Sequence, residues 1–345
     1  MPRKDVASEP KASQPKASPE VAPTATLFAK APPPASLNWV HKGVIPPIKD
    51  QGQCGSCWAF SAVSAMEGAY NLKHQGSINN FPASCGSQQC GPQNASCCSF
   101  SEQEIADCTL KGADTCNIGG EPHDGILEVV ARGGKISTEQ GYPYVSGKTK
   151  ALTPCRPSAA SFVNTGITGY TNVTSGDENA LLAAAVIHPS ISVGIDASSF
   201  GFQLYSSGVY VDDEGCGNNA SSLDHGVAVV GFGAGKFDPP GPPAPKPGPA
   251  DCDRNYKKPG CLNEAGCFWC EDSHKFGYCF NEPCPSSKAG QVSSYGAGPE
   301  GKPGQPYWLV RNSWNVDWGA GGYIAMARNH NNMCGIATDA VFADL

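Results

Sequence analysis

Seventeen cysteines in a chain of 345 residues constrain this fold more than any other feature. A count that high points to an oxidising compartment, where disulfides staple segments together. Because the number is odd, at least one sulfur has no intramolecular partner. An unpaired thiol among bridged ones is a candidate nucleophile, and the rest of the chain can be searched for the groups that would activate it.

Composition narrows the class. Hydrophobic residues make up 40% of the chain and charged residues 16%, so a globular body is expected. The length allows one large domain or two smaller ones around a buried core. The formal net charge is −7, although residues 1–35 carry five basic and three acidic groups, so the remainder is more acidic still. A nucleic-acid binder needs a basic face, and this balance excludes nucleic acid as the main partner. No apolar run approaches the roughly 20 residues needed to span a bilayer.

Residues 1–35 are dominated by Pro, Ala, Ser and Lys and show neither helical nor strand periodicity. Such a segment buries too little apolar surface to offset its ordering entropy and is expected to be disordered. It lacks the apolar core of a secretory signal, so the chain reads as a fragment or a trimmed form. Residues 36–345 read as the folded domain. Cys57 to Gly76 has apolar residues at helical spacing, including Trp58, Ala62, Ala65, Met66 and Ala69. Ser101-Glu-Gln-Glu104 has capping-box spacing at the start of a second helix, and Gly125 to Ala131 reads as a third. Later runs, Ser190–Ala197, Gly226–Gly233, Tyr307–Asn312 and Gly322–Arg328, read as strands bounded by Gly, Asn and Pro. Helices first and strands later imply an α+β protein of two packed halves.

Two segments interrupt that plan. Residues 78–100 hold Cys85, Cys90, Cys97 and Cys98, and residues 234–305 open with a proline-rich stretch that reads as a semi-rigid spacer. Six cysteines follow between Cys252 and Cys284. Their pairing is open, with three and fifteen connectivities within the two segments. Cys267, Cys270, Cys279 and Cys284 form an alternative zinc set, although an oxidising compartment favours disulfides.

Cys57 is the thiol with the right surroundings. It stands where the glycine-rich turn Asp50-Gln-Gly-Gln-Cys-Gly-Ser-Cys57 meets a helix start, so backbone N–H groups and the positive helix end favour a thiolate. A thiolate nucleophile needs a base, and the base needs a group that orients it. His225 begins the apolar strand Leu223-Asp-His-Gly-Val-Ala-Val-Val-Gly-Phe-Gly233, and Asn312 ends another in Trp308-Leu-Val-Arg-Asn-Ser-Trp314. Strand ends present polar groups at a sheet rim, which suits a cleft between two halves.

The stretch Gln51-Gly-Gln-Cys-Gly-Ser-Cys-Trp-Ala-Phe60 closely resembles the nucleophile motif of papain-like cysteine peptidases, of the cathepsin L and papain type. The His225 and Asn312 motifs follow in that family's chain order, 168 and 255 residues beyond Cys57. The family spacing is about 130–150 residues, and the two inserted segments account for most of the excess. The resemblance implies a two-subdomain α+β fold, helical on one side and an antiparallel β-barrel-like sheet on the other, with the active site between them. It implies an endopeptidase working through a thioester acyl-enzyme, with protein or peptide substrates and neither cofactor nor metal. Cys57 would be nucleophile, His225 general base and then acid, and Asn312 the residue orienting the imidazole. Gln51 would help bind the oxyanion, and Trp314 would shield the His–Asn bond. It also implies the disulfides Cys54–Cys116, Cys108–Cys155 and Cys216–Cys334, which leave Cys57 free.

By the same resemblance Gly119 and Gly120 bind substrate backbone. Pro122, Gly194, Leu223 and Gly226 line the pocket for the second residue before the scissile bond, with Asp339 at its floor. An apolar pocket with a basal carboxylate is expected to take Leu, Val or Phe and also Arg. Two departures from the family pattern stand out, the extra Ile in Cys116-Asn-Ile-Gly-Gly120 and Asn315 in place of a glycine after Trp314. No long insertion follows Gly120, so an open cleft is expected. No inhibitory prodomain precedes Trp39, so a prodomain lies outside this chain or control works differently. Cystatin-like inhibitors are expected partners of a monomer. The segment Cys252–Cys284 weakly resembles small disulfide modules of the plexin-repeat kind and reads as a docking element. Disulfides and the sequons at Asn94, Asn172 and Asn219 imply a lysosomal, vacuolar or extracellular glycoprotein. A silent peptidase scaffold used for binding is the competing class, and it gives no reason to retain Cys57, His225, Asn312 and Gln51 together. Transpeptidation would use the same acyl-enzyme.

Overall fold

The computed structural model describes residues 32–74, 99–109, 115–212, 215–235, 237 and 304–345, with the strand pair at 268–271 and 277–280. Residues 1–31 and most of the segments 78–100 and 234–305, with the expectations attached to them, lie outside the described residues. In chain order the elements begin with β1 (Leu37–Asn38), α1 (Cys57–Lys73), α2 (Glu102–Cys108), α3 (Thr115–Ile118) and α4 (Pro122–Ala131). There follow β2 (Lys135–Ser137), α5 (Ser146–Thr149), β3 (Phe162–Asn164), β4 (Gly169–Asn172), α6 (Glu178–Ile187) and β5 (Ile191–Ile195). The remainder is α7 (Phe200–Gln203), β6 (Val209–Tyr210), β7 (His225–Ala234), β8 (Phe268–Glu271), β9 (Gly277–Phe280), β10 (Pro306–Arg311), β11 (Tyr323–Ala327) and β12 (Ala340–Asp344).

Helix α1 is buried almost all round because it is sandwiched. One side packs Trp58, Ala62, Met66 and Tyr70 against Phe100, Ile105, Ile126 and Ile136. The other side lies on the sheet, which explains its many small residues. A Cβ added at Gly68 would sit 2.7 Å from Ser190 Cβ, so only glycine permits that approach. Serines on the sheet-facing side are paired: Ser61 Oγ bonds Val227 O (2.5 Å) and Ser192 Oγ (2.6 Å), and Ser64 Oγ bonds Ser190 Oγ (2.9 Å). Unpaired, each buried hydroxyl would cost about 1–3 kcal/mol.

The capping box at α2 is half formed. Ser101 Oγ accepts from Glu104 N at 2.9 Å. The Glu104 carboxylate does not return to Ser101; it binds Arg132 and Ser137 N instead, while Ser101 N donates to Ser137 O. Tertiary partners win because Glu104 is fully buried and gains a guanidinium there.

The second half is one eight-stranded sheet, ordered β4-β12-β5-β7-β10-β11-β6, with β1 paired to β7. Its pairings are antiparallel except for β11 with β6, which departs from a purely antiparallel plan. The strands read from sequence share this half with a helix. Helix α6 covers the sheet, capped by Asp177 Oδ1, which accepts from Asn179 N and Ala180 N. The run Leu181–Ala185 buries on the sheet-side core. Phe100, at the edge of the expected first insertion, is a core residue. The strands β8 and β9 form an antiparallel hairpin with Trp269 opposite Cys279.

Candidate active site

The two halves meet where α1 begins and β7 and β10 have their cleft-side ends. Cys57 is the first residue of α1, His225 the first of β7, and Asn312 directly follows β10. Residues far apart in sequence converge because β7 pairs antiparallel with both β5 and β10. The backbone of Gly226 packs against Cys57 and Trp58; a Cβ there would sit 3.1 Å from Trp58 Cα.

His225 is close enough to the Cys57 thiol for each to shift the other's pKa, and His225 Nε2 lies 2.8 Å from Asn312 Oδ1. With Nε2–H given to Asn312, Nδ1 is the nitrogen left for sulfur. Trp314 stacks over the imidazole at 4.7 Å between ring centroids and is itself braced edge-on by Phe202 and Trp318. His225 and Asn312 are both buried, and a hydrogen bond is electrostatically stronger in such surroundings than in water. Burial opposes ionisation of Cys57, but the bond to and charge of His225, with the backbone N–H groups of Gly226 and Trp58, outweigh it and hold the thiol below its ordinary pKa. Burial likewise opposes the charged imidazole, yet Cys57 and Asn312 raise His225 above its usual value. Both shifts favour the thiolate and the imidazolium. Cys57 is the one free cysteine among the described residues.

Gln51 sits beside this pair with its amide fixed from two sides. Nε2 donates to Cys54 O at 3.1 Å, and Oε1 accepts from Ser313 Oγ at 2.6 Å. That leaves the second N–H of Nε2 for a ligand. Ser313 N also donates to Asn312 Oδ1 at 2.8 Å, and Gln51 N donates to Ser313 O at 2.8 Å. Ser313 therefore joins the two polar ends of the site. Sequence reading passed over it, although it stands between Asn312 and Trp314.

The disulfides Cys54–Cys116, Cys108–Cys155 and Cys216–Cys334 are formed. The first ties the turn before Cys57 to the segment carrying Gly119 and Gly120. Gly120 faces the Trp58 ring, where a Cβ would sit at 2.7 Å, and Gly119 has φ +74°. The additional Ile118 is accommodated by pointing outward, 71% exposed at the end of α3. Asn315 has φ +67°, a conformation glycine takes freely and Asn tolerates. Its Oδ1 accepts from Val316 N at 2.7 Å.

Gly194, Leu223 and Asp339 come together. Gly194 N donates to Asp339 O at 2.9 Å, and a Cβ on Gly194 would sit 3.1 Å from Leu223 Cδ1 and 3.8 Å from Asp339 Cβ. Pro122 is buried at the first position of α4, directly after Glu121. Glu121 has a raised pKa, chiefly through burial and then through the nearby charge of Asp339. Of the sequons, Asn219 is exposed, Asn172 lies half-buried in β4, and Asn94 is outside the described residues.

Behind the cleft lies a buried ionic cluster that sequence reading missed. Lys49 Nζ lies 2.6 Å from Glu102, 3.4 Å from Glu139 and 3.9 Å from Glu67, while Arg311 Nη1 is 3.6 Å from Glu67. Lone charged letters carry no local pattern that would announce such a cluster.

Comparison with known proteins agrees with this geometry. A family model described as papain family cysteine protease matches residues 33–241 and 272–343. Digestive cysteine proteinase 2 of Homarus americanus is 33% identical over 325 residues, covering 93% of this chain and 71% of the relative. Cathepsin L of Sarcophaga peregrina is 32% identical over 306 residues, covering 88% and 62% respectively. Among solved structures, digestive procathepsin L 3 of Tenebrio molitor larval midgut aligns with TM-score 0.59 and 27% identity, over 92% of this chain and 72% of that one. The bromelain protease from Ananas comosus, in complex with the E64 inhibitor, aligns with TM-score 0.57 and 25% identity over 90% and 99%. The chain spans 59–72% of the length of curated relatives such as the two digestive cysteine proteinases of Homarus americanus, the Sarcophaga peregrina cathepsin L and a KDEL-tailed cysteine endopeptidase of Arabidopsis thaliana.

Proposed function

The chain belongs to the papain family of cysteine proteases, and on that premise we propose that this cysteine endopeptidase cleaves through an acyl-enzyme carried by Cys57, His225, Asn312 and Gln51. The Cys57 thiolate attacks the scissile carbonyl carbon. The carbonyl oxygen takes the negative charge and is held by the free N–H of Gln51 Nε2 and the backbone N–H of Cys57, donors already in place before charge develops. The intermediate collapses, the C–N bond breaks, and His225 gives its proton to the leaving amine. Water then attacks the thioester; His225 takes its proton, the C–S bond breaks, and Cys57 leaves as thiolate. Asn312 takes no proton. It holds the imidazole so that one nitrogen faces sulfur in both half-reactions, and Trp314 keeps that bond dry.

The observation that carries this reading is the continuous chain from a free, ionisable Cys57 through His225 to Asn312. Peptide substrates lie along Gly119 and Gly120, with the second residue before the scissile bond near Gly194, Leu223 and Asp339. Apolar side chains suit Leu223, and Arg suits Asp339 with Glu121 adding negative charge nearby. The three disulfides and the digestive relatives support a site of action outside the cytosol. The proform relatives support inhibition by a propeptide, and among the described residues no helix is long and apolar enough to cross a membrane.

The test is labelling with E64, the inhibitor seen in the bromelain complex, followed by peptide mapping. The label should land on Cys57 alone, and Cys57→Ala should lose both label and hydrolysis. His225→Ala should lose nearly as much, since these groups act as a unit, and Asn312→Ala less. Robust hydrolysis by the Cys57→Ala protein sinks the mechanism.

A further inference from the structure

Ser56 stands at the N-cap of α1, a position where serine ordinarily bonds a backbone N–H of the first turn. Here it makes no such cap. Its hydroxyl lies 2.6 Å from Tyr144 Oη instead, and Tyr144 Oη donates to the backbone O of Gln51 at 2.8 Å. With the single phenolic proton given to Gln51 O, the bond between the hydroxyls runs from Ser56 to Tyr144. One tyrosine thus grips both ends of the turn 51–56.

We propose that Tyr144 is a positioning residue for the oxyanion site, fixing Gln51, which offers the side-chain donor, and Ser56, which immediately precedes the backbone donor of Cys57. The inference rests on the acyl-enzyme reading above. Tyr144 never touches substrate; it sets the separation and direction of two N–H groups that do.

Three further observations support the role. The segment after Tyr144 lies backbone to backbone against the same turn: Gln53 N donates to Gly147 O at 2.9 Å, and a Cβ at Gly147 would come within 2.7 Å of Gln51 O. That segment is anchored from behind. Gln103 Oε1 on α2 accepts from Val145 N (2.8 Å) and Ser146 N (3.0 Å), and Glu139 Oε1 accepts from Tyr144 N (2.9 Å). The Tyr144 ring is set edge-on against Phe60 at 4.9 Å, so the hydroxyl cannot swing away. Rigid support of this kind is what an oxyanion site needs, because donors must already point at the place where charge will appear. Leaving Ser56 uncapped also leaves the Trp58 N–H in the first turn of α1 to the Cys57 sulfur.

Tyr144→Phe keeps the ring packing and deletes only the grip. Outright loss of an oxyanion donor costs about 10²–10³-fold in kcat, and loosening donors that remain present should cost a fraction of that, about tenfold. KM should stay within about twofold, because the donors act mainly on the transition state. A substrate-like peptide aldehyde supplies the decisive readout: the thiolate adds to its carbonyl carbon, and the oxygen becomes an oxyanion or takes the proton from His225 within the same site. Its inhibition constant should rise about as much as kcat falls. Alkylation of Cys57 by iodoacetamide forms no oxyanion and should keep its wild-type rate. Ser56→Ala, which breaks one of the two bonds, should show the same split at smaller size and serves if the first variant fails to fold. Unchanged aldehyde binding, or alkylation slowed in step with hydrolysis, overturns the proposal. If the parent protein neither hydrolyses peptides nor alkylates selectively at Cys57, the acyl-enzyme reading itself has failed.

Discussion

His225 and Ala234 are the first and last residues of the same ten-residue strand, which puts the candidate base and the root of the 234–305 segment about 30 Å apart at the usual rise per residue. The return strand agrees, since Pro306 pairs with Ala234 while Asn312 follows Arg311 at the cleft end. Deleting residues 238–303 should therefore leave small-peptide hydrolysis within a few-fold. Phe237 must be kept, because it is buried and packs edge-on against Tyr307 at 5.5 Å. Loss of soluble, folded protein from this deletion would show that the segment belongs to the core.

The Cys57–His225 pair predicts a pH window. Cys57 is lowered and His225 raised, and both shifts favour the charged thiolate–imidazolium pair. Iodoacetamide should react with Cys57 well below the pH at which an ordinary thiol ionises, falling off only as pH drops through the lowered Cys57 value. Hydrolysis should decline on the alkaline side as pH rises through the raised His225 value. The two titrations belong to the pair and not to either group. In Cys57→Ala, burial should dominate and His225 should titrate at lower pH by NMR. A His225 titration unmoved by that substitution contradicts the coupling.

Asp339 predicts selectivity toward Arg at the second residue before the scissile bond. A desolvated charge-assisted pair is worth about 1.5–3 kcal/mol, so Asp339→Ala should lower kcat/KM for an Arg substrate roughly ten- to a hundredfold and leave the Leu substrate nearly unchanged. Paired kinetics on two otherwise identical peptides decide it. Equal losses on both peptides, or no Arg cleavage by the parent, exclude this role.

The Lys49 cluster predicts pH-dependent stability. Burial raises Glu102 and Glu67, and Lys49 partly offsets this. A carboxyl with a raised folded-state value binds its proton more tightly when folded, so its contribution to stability falls as pH rises above the unfolded value. Lys49→Met removes the offset and raises both groups further. Its cost in urea unfolding should be small near pH 5 and grow toward about 3–5 kcal/mol at neutral pH, the range for breaking a buried pair. A loss that is flat with pH would mean that Lys49 acts by packing its stem.

The local letters already determined much of this protein. Glycines and a helix start around Cys57, the serine three residues before Glu104, and the polar ends of two apolar strands at His225 and Asn312 are short-range patterns. They reflect capping and periodicity, which operate within a few residues. Tertiary structure decided the rest. Ser313 reaches Gln51 across 262 residues, Tyr144 reaches it across 93, and Lys49 finds Glu102 across 53. Glu104 abandoned the return half of its capping box for Arg132 and Ser137. None of these partners is marked by spacing, because a side-chain bond depends on where folding brings two backbones together, and that placement is set by how α1 packs between the helices and the sheet.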